Sequence, residues 1–204
     1  MANNAKYLSA DERRAVIVDT VLALAAEMNP AEITTAAIAG RMGLSQGALF
    51  RHFQNKDAIW EAVMARAATV LTERAESAAR AGSTPMESLE ALFFSHINFI
   101  VEHPGVPGFF FGELQRPGKS PARERAKELM EGYGRLVGSI LQKGKESGRF
   151  FEGMDIPSAA GLFVGIIQSL VLQSFLTGER ETIAKRAPGV FALFRRGIER
   201  GRPE

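Results

Sequence analysis

A short segment near the N-terminus constrains the fold most, because a glycine there separates two brief helical patterns. The first pattern runs from Thr34 to Met42, and Gly43 follows it with the conformational freedom that a tight turn requires. Ser45 begins a second short pattern, and Asn55 begins a third. Two short helices joined in this way predict a helix-turn-helix unit, whose second helix enters the major groove of DNA.

Hydrophobic residues recur at helical spacing along nearly the whole chain, and no segment alternates as a half-buried strand would. Ser9 with Glu12 three residues later has the spacing of a capping box, and Thr84-Pro85 marks another helix start. The predicted fold is therefore all-α, with about nine helices. The predicted helices begin near Ser9, Thr34, Ser45, Asn55, Thr84, Ser120, Asp155 and Ala187, and the last of them ends near Arg200.

One stretch of this pattern is ambiguous. Residues 104–121 are rich in glycine and proline, and they contain the run Phe109-Phe110-Phe111. Such a stretch predicts an irregular segment, since glycine and proline interrupt helices. It could form a mobile pocket wall or a packed loop.

The composition argues against several classes of enzyme. The chain has no cysteine, which excludes disulfides, thiol nucleophiles and cysteine-based zinc sites and fits a cytoplasmic protein. The histidines show no metal-ligand spacing. Gly118-Lys119-Ser120 is not a phosphate-binding loop, because Glu113 occupies the position of the first required glycine. We therefore expect no catalytic residue, metal or cofactor, and no enzyme activity.

A membrane protein is a second alternative, because residues 159–176 are strongly apolar. Gln168 and Gln173 interrupt this stretch, and its length is at the short limit for a bilayer core of about 30 Å. A buried helix in a bundle or in a dimer interface is the stronger interpretation. The first ten residues also lack the long apolar run of a signal peptide. We expect no membrane association.

The predicted second helix carries residue types suited to reading DNA bases. Gln46 can form two hydrogen bonds to adenine, and such a pair contributes about 1–3 kcal/mol of discrimination. Gly47 and Ala48 would let the helix backbone approach the groove, and Ala48 could touch a thymine methyl group. The alternatives are a solvated glutamine and neutral helix surface.

Other residues in this region suit the DNA backbone. Thr34 could bind a phosphate, cap its helix, or do both. His52 could donate to a phosphate or remain a surface histidine. Lys56 is predicted in the first turn of a helix, where the dipole opposes a cation and a phosphate would offset that effect. The candidate DNA-binding residues are Thr34, Ser45, Gln46, Gly47, Ala48, Phe50, His52 and Lys56.

The formal net charge is only +2, so charge alone does not predict nucleic-acid binding. The segment from Gly40 to Lys56 nevertheless contains Arg41, Arg51 and Lys56 and no acidic residue. We predict a local positive surface, in which Arg41 and Arg51 are either long-range charges or salt-bridge partners.

The segment from Thr34 to Trp60 resembles the helix-turn-helix of TetR-family transcriptional regulators, and the predicted helix layout resembles that family along the whole chain. Phe50 stands where tyrosine is usual in the family, so it lacks the hydroxyl that could bond a phosphate, but it could pack on a thymine methyl or a sugar. Ala37 stands where aspartate is common. The residues that match the pattern are Thr34, Ile38-Ala39, Gly43-Leu44-Ser45, Gly47, Leu49-Phe50, His52-Phe53 and Lys56-Asp57.

The resemblance implies a DNA-binding domain at residues 1–55 and a ligand-binding and dimerisation domain at residues 56–204. The second domain is expected to hold a small apolar or aromatic ligand, with a few polar groups among apolar walls. An ordinary bundle core is the alternative for each residue. The tentative pocket residues are Phe93, His96, Phe99, Phe110, Phe111, Tyr133, Phe163 and Gln168.

The last two predicted helices favour a homodimer. Gly161, Gly165 and Ser169 lie four residues apart, which gives one helix a flat stripe for close contact. Two helices from each chain would form a four-helix interface around a two-fold axis, and that symmetry predicts a palindromic operator. The predicted interface residues are Gly161, Gly165, Ser169, Leu172, Phe191 and Phe194.

Together these expectations describe a homodimeric repressor that a small molecule releases from a palindromic operator. An activator, or a regulator that responds to a protein partner without an inducer, has the same sequence features and remains an alternative.

Overall fold

The computed structural model describes residues 9–199, and within them it contains nine α-helices, one 3₁₀ turn and no strand. The prediction of an all-α fold is therefore confirmed. The helices are α1 Ala10–Glu27, α2 Thr35–Arg41, α3 Gln46–Leu49, α4 Lys56–Ala81, α5 Pro85–Glu102, α6 Gly105–Gln115, α7 Pro121–Glu146, α8 Ile156–Thr177 and α9 Glu181–Ile198, and the 3₁₀ turn is Pro30–Glu32.

The described residues form two compact units. Within residues 9–199, the first contains the residues up to Thr69 together with His103–Lys127, and the second contains Val70–Glu102 and the residues from Glu128 to 199. Helices α4 and α7 each contribute residues to both units. The division at residues 55 and 56 stays a prediction, because it separates expected functions rather than compact units.

The first unit is built around α1, α2, α3, the start of α4 and α6. The capping box at the start of α1 is present: the Ser9 hydroxyl accepts from the Glu12 amide at 3.2 Å, and the Glu12 carboxylate accepts from the Ser9 amide at 2.8 Å. Ile17, Val21 and Ile38 are completely buried in this core. Their burial removes one face of α1 and one face of α2 from water. This burial stabilises helices that would be only marginally stable in isolation.

Helix α6 differs from the irregular segment predicted for residues 104–121. Gly105 is required by packing rather than by a turn, since a Cβ atom there would lie 2.5 Å from the Leu22 carbonyl oxygen of α1. Pro107 lies in the first turn of α6, where a helix tolerates proline. Phe109 is buried, and its ring lies 5.4 Å from that of Trp60. Glycine and proline thus serve close helix packing in this segment.

The core of the second unit is aromatic and joins α5, α8 and α9. Phe93 is fully buried, and its ring lies 5.9 Å from that of Phe163 and 5.1 Å from that of Phe191. Helix α9 begins at Glu181, six residues before the predicted start. It continues through the exposed Pro188, because solvent can bond the backbone carbonyl that proline leaves without a partner. The predicted end at Arg200 lies outside the described residues.

Candidate DNA-binding surface and ligand unit

The helix-turn-helix is set by two side-chain caps and one glycine. The Thr34 hydroxyl accepts from the Ala37 amide at 3.0 Å at the start of α2. Gly43 has a φ of 65°, a left-handed conformation that other residues adopt at a cost. The Ser45 hydroxyl then accepts from the Ala48 amide at 3.2 Å at the start of α3. These local bonds fix where each short helix starts, and they satisfy amides that would otherwise lack a partner.

Helix α3 presents one face to the core and the other to solvent. Leu49 is completely buried, whereas Gln46, Gly47 and Phe50 are exposed. A Cβ atom on Gly47 would meet only the Ser45 hydroxyl, at 3.9 Å. The fold therefore does not require glycine at position 47. Close approach of another molecule to α3 would explain the glycine there.

The arginines of this region differ in their partners. Arg41 forms two hydrogen bonds with the Glu27 carboxylate, at 2.9 and 2.5 Å, and this contact lowers the pKa of Glu27. Arg51 is exposed and makes no salt bridge among the described residues. Its charge is therefore free to attract an anion, while the charge of Arg41 is largely compensated.

His52 is half-buried at the end of this region. Its backbone carbonyl accepts from the Arg14 guanidinium at 3.0 Å, and that guanidinium lies 4.4 Å from the centre of the Phe53 ring. Since Phe53 is buried, this contact joins the end of the helix-turn-helix to α1. The His52 side chain remains partly accessible.

Lys56 is the first residue of α4, as predicted, and Asn55 caps that helix by accepting from the Ala58 amide at 2.8 Å. The Lys56 ammonium lies 4.5 Å from the centre of the Trp60 ring, in a cleft of about 450 Å³ between the 3₁₀ turn, α4 and α6. Burial, and then the nearby Arg116, lower the pKa of Lys56. Among the described residues it makes no salt bridge.

The second unit contains a partly buried polar pair, in which Tyr133 is buried and His96 is half-buried. The Nδ1 atom of His96 on α5 lies 3.0 Å from the hydroxyl oxygen of Tyr133 on α7. Desolvation lowers the pKa of His96 to about 4, and burial raises the pKa of Tyr133. Both side chains are therefore neutral at pH 7. Phe93, Phe99 and Phe163 are buried in the same unit, and Gln168 is half-buried there.

Two of the tentative pocket residues, Phe110 and Phe111, lie in the first unit instead. Phe110 packs against the core of that unit, and its ring lies 5.6 Å from that of Phe111. The structure therefore does not bring all eight tentative pocket residues into one unit.

Helices α8 and α9 expose an apolar surface that we call the α8–α9 face. Gly161, Ser169 and Leu172 are exposed on α8, and Gly165 is half-buried with open space around it. Four other large apolar residues on these helices are also exposed but are not among the predicted interface residues, although a spacing of three residues from Gly165 and from Leu172 could have indicated Leu162 and Phe175. The four are Leu162, Phe175, Leu176 and Leu193, with exposed fractions of 55%, 46%, 87% and 69%.

Phe191 and Phe194 are not part of this face. Both are buried in the core of their own unit, where the Phe194 ring lies 5.4 Å from that of Phe163. Leu193 is the exposed residue between them. The periodicity of α9 therefore shows which residues are apolar and share a side, but it does not show whether that side packs in the core of the protomer or lies on its surface.

Comparison with known families supports the helix-turn-helix. Residues 17–63 match the family of bacterial regulatory proteins called tetR, and residues 66–197 match the C-terminal region of YsiA-like proteins. The chain belongs to the TetR family. The resemblance proposed from sequence is confirmed, and the chain is a DNA-binding transcriptional regulator.

Three similar proteins illustrate the family. The nucleoid occlusion factor SlmA of Actinobacillus pleuropneumoniae serotype 5b (strain L20) is 26% identical over 192 residues, which are 91% of this chain and 94% of that protein. The fatty acid metabolism regulator protein of Bacillus subtilis (strain 168) is 23% identical over 182 residues, covering 89% and 93%. The crystal structure of Bacillus subtilis FadR in complex with stearoyl-CoA has a TM-score of 0.78 at 22% identity, covering 91% and 99%.

Two further properties bear on function. No group of three or more described His, Asp or Glu side chains could hold a metal ion. Within the described range, α8 is long and apolar enough to cross a membrane, but a core helix of a soluble protein has the same length and composition. TetR-family regulators are soluble DNA-binding proteins, and the relatives are regulators rather than enzymes.

Proposed function

We propose that this TetR-family regulator is a homodimeric, cytoplasmic repressor without enzyme activity, and that a small apolar ligand releases it from a palindromic operator. The observation that carries the proposal is the exposed face of α3. There, Gln46 has no side-chain hydrogen-bond partner among the described residues, and Gly47 has open space around it. A polar side chain and an uncovered backbone at a helix start suit close contact with base edges.

The residues around α3 are proposed to hold the DNA backbone. The Thr34 oxygen accepts a bond from the Ala37 amide, so its own proton is free to be donated to a phosphate. Capping and phosphate contact are thus compatible at this residue. Ser45 has the same arrangement with the Ala48 amide. Ala48 is half-buried and Phe50 is exposed, and we propose apolar contacts with a thymine methyl or a sugar for both.

Replacing Gln46 with alanine should relax the sequence preference at one base position of each half-site. The loss of a two-bond contact to adenine should reduce discrimination there by about 1–3 kcal/mol. The measurement is sequencing of bound fragments from a random duplex library. Gln142→Ala on the exposed surface of α7 is the control. An unchanged binding profile for Gln46→Ala would exclude base reading by this residue.

Replacing Lys56 with glutamine should weaken binding to all sequences about equally. We expect its ammonium to leave the Trp60 ring and contact a phosphate, so its loss should lower the salt slope by about one per protomer. The measurement is fluorescence anisotropy of a labelled duplex at several salt concentrations, with the exposed Lys143→Gln as control. A slope equal to that of the original protein would mean that Lys56 stays against Trp60.

The α8–α9 face is proposed as the dimer interface. Its leucines and phenylalanine are exposed on two adjacent helices, and a two-fold axis would bury them against the same residues of a second copy. The operator half-sites should then repeat at multiples of about 10 base pairs.

The second unit is proposed to bind the ligand. Its interior is aromatic and apolar, with one neutral polar pair at His96 and Tyr133. Bacillus subtilis FadR was crystallised with stearoyl-CoA, and a long acyl chain of that kind suits such an interior. The protein-partner alternative predicts that no apolar ligand changes DNA binding.

The test is release of selected DNA by ligand. The protein should be bound to fragments that it selects from a genomic library, and long-chain acyl-CoA, short-chain acyl-CoA and free coenzyme A should then be added. We expect long-chain acyl-CoA alone to release the DNA. Retention of DNA with all three compounds, while sequence-specific binding is intact, would contradict this ligand class and favour a protein partner.

A further inference from the structure

The cleft between the 3₁₀ turn, α4 and α6 belongs to the first unit, since the described residues that line it all lie in that unit. Its volume of about 450 Å³ falls within the range of small-molecule pockets. Apolar side chains form one part of its wall, and charged side chains form another. The apolar part includes Pro30, Ala31, Trp60 and Phe109. A ligand in this cleft would touch the DNA-binding unit directly.

Trp60 brings a free hydrogen-bond donor to the cleft. The residue is only 6% exposed, and within residues 9–199 its indole Nε1–H forms no hydrogen bond. No fully enclosed side-chain nitrogen in that range lacks a partner, so the Nε1–H must reach accessible space. Because Trp60 lines the cleft and is otherwise buried, that space is the cleft. A buried donor that is left for an outside partner is uncommon, and a ligand would satisfy it.

Lys56 adds a positive charge without an anionic partner. Its ammonium lies 4.5 Å from the centre of the Trp60 ring and makes no salt bridge among the described residues. The second cation in the lining, Arg116, donates to the Asp57 carboxylate at 2.7 Å and lies 3.7 Å from the Glu113 carboxylate. Two carboxylates thus compensate Arg116, whereas burial lowers the pKa of Lys56. An anion beside Lys56 would oppose that effect of burial.

These groups determine the charge and shape of a suitable ligand. The indole of Trp60 and the ammonium of Lys56 can only donate hydrogen bonds, so both require an acceptor. A carboxylate offers one oxygen to each donor and one negative charge to Lys56. A doubly charged group such as a phosphate would bring a second negative charge close to Asp57 and Glu113, which also line the cleft. The apolar part of the wall suits a ring attached to the carboxylate.

We propose that this cleft binds a small aromatic carboxylate, with the Lys56 ammonium and the Trp60 Nε1–H each holding one carboxylate oxygen. The site is separate from the ligand-binding interior proposed for the second unit, and binding at it does not depend on that proposal. Its effect on DNA does rest on the proposed function, because an ammonium held by the ligand is no longer available to a phosphate. An occupied cleft should therefore weaken binding to all DNA sequences.

The test uses the indole resonance of Trp60, which is the single tryptophan of the chain and so needs no assignment. Benzoate is the probe, and benzamide has the same ring without the charge. In ¹⁵N-labelled protein, benzoate titrated to about 10 mM should move the indole proton downfield with saturation, since so small a ligand binds weakly. Benzamide should bind about tenfold more weakly. An indole resonance that benzoate leaves in place, or that both probes move with equal affinity, would overturn the proposal.

A variant places the charge at Lys56. Lys56→Gln keeps the indole resonance, which also reports that the protein is folded, and its affinity for benzoate should fall about tenfold. Lys143→Gln, on the exposed surface of α7, should bind benzoate as the original protein does. A folded Lys56→Gln protein with undiminished affinity for benzoate would exclude Lys56 as the anchor.

DNA binding separates a failure of this inference from a failure of the proposed function. At saturating benzoate, the affinity for a selected operator should fall by the factor measured for Lys56→Gln, and Lys56→Gln itself should not respond to benzoate. If the protein selects an operator but benzoate leaves the indole resonance in place, the inference fails while the DNA-binding function stands. If the resonance moves and DNA binding is unchanged, the site stands and the proposed phosphate contact of Lys56 fails.

Discussion

Replacing Gly47 with leucine should abolish specific DNA binding while leaving the protein as stable as before or slightly more so. The new side chain would project from the exposed face of α3 into open space, since outside its own helix backbone and chain neighbours a Cβ there meets only the Ser45 hydroxyl, at 3.9 Å. Removing glycine from a helix contributes roughly 0.5–1 kcal/mol of stability. In the complex the same side chain would separate α3 from the groove, and binding should fall to the non-specific level, at least about 1000-fold weaker.

The measurements are thermal unfolding and anisotropy titration of a selected operator. Gly134→Leu on α7 is the matched control, because a Cβ there also meets open space. It should bind DNA normally. A Gly47→Leu protein that is folded and binds the operator as tightly as the original would remove α3 from the interface.

Replacing Leu193 with glutamate should convert the dimer into monomers. Leu193 is 69% exposed and lies on the α8–α9 face, which we expect to be buried between two copies. Each lost leucine removes about 2 kcal/mol of burial. A two-fold axis doubles this to about 4 kcal/mol, so the dimer should dissociate about 1000-fold more readily, before the repulsion of two carboxylates is added.

Analytical ultracentrifugation over a range of concentrations measures this effect. Leu114→Glu is the control, since Leu114 is 38% exposed on α6 and lies outside that face. It should remain dimeric. A Leu193→Glu protein that sediments as a dimer would place the interface elsewhere, and a monomeric parent protein would contradict the homodimer.

Local signals predicted the helix-turn-helix well. The caps at Ser9, Thr34 and Ser45 and the turn at Gly43 act through bonds within a few residues, so they can be recognised in the sequence. Helix α6 does not follow from such local signals, because Gly105 serves a contact with α1, which is distant in sequence. Local rules for glycine cannot distinguish close packing from a turn.

The sites were only partly predictable for the same reason. Helical spacing places Phe191 and Phe194 on one side of α9 and Leu193 on another, but tertiary packing decides which apolar side is buried, and here it buries the two phenylalanines. The partners of Arg41, His96 and Lys56 depend on residues 14, 37 and 4 positions away, respectively. Only the shortest of these separations falls within one helix.

We infer that α3 of a symmetric dimer reads DNA sequence. Selection of the purified protein against a random duplex library, with sequencing of the bound fraction, is the direct test. We expect an enriched palindrome whose half-sites are spaced by multiples of about 10 base pairs, and loss of that enrichment in Gly47→Leu. A folded, ligand-free dimer that enriches no sequence at low salt would contradict it.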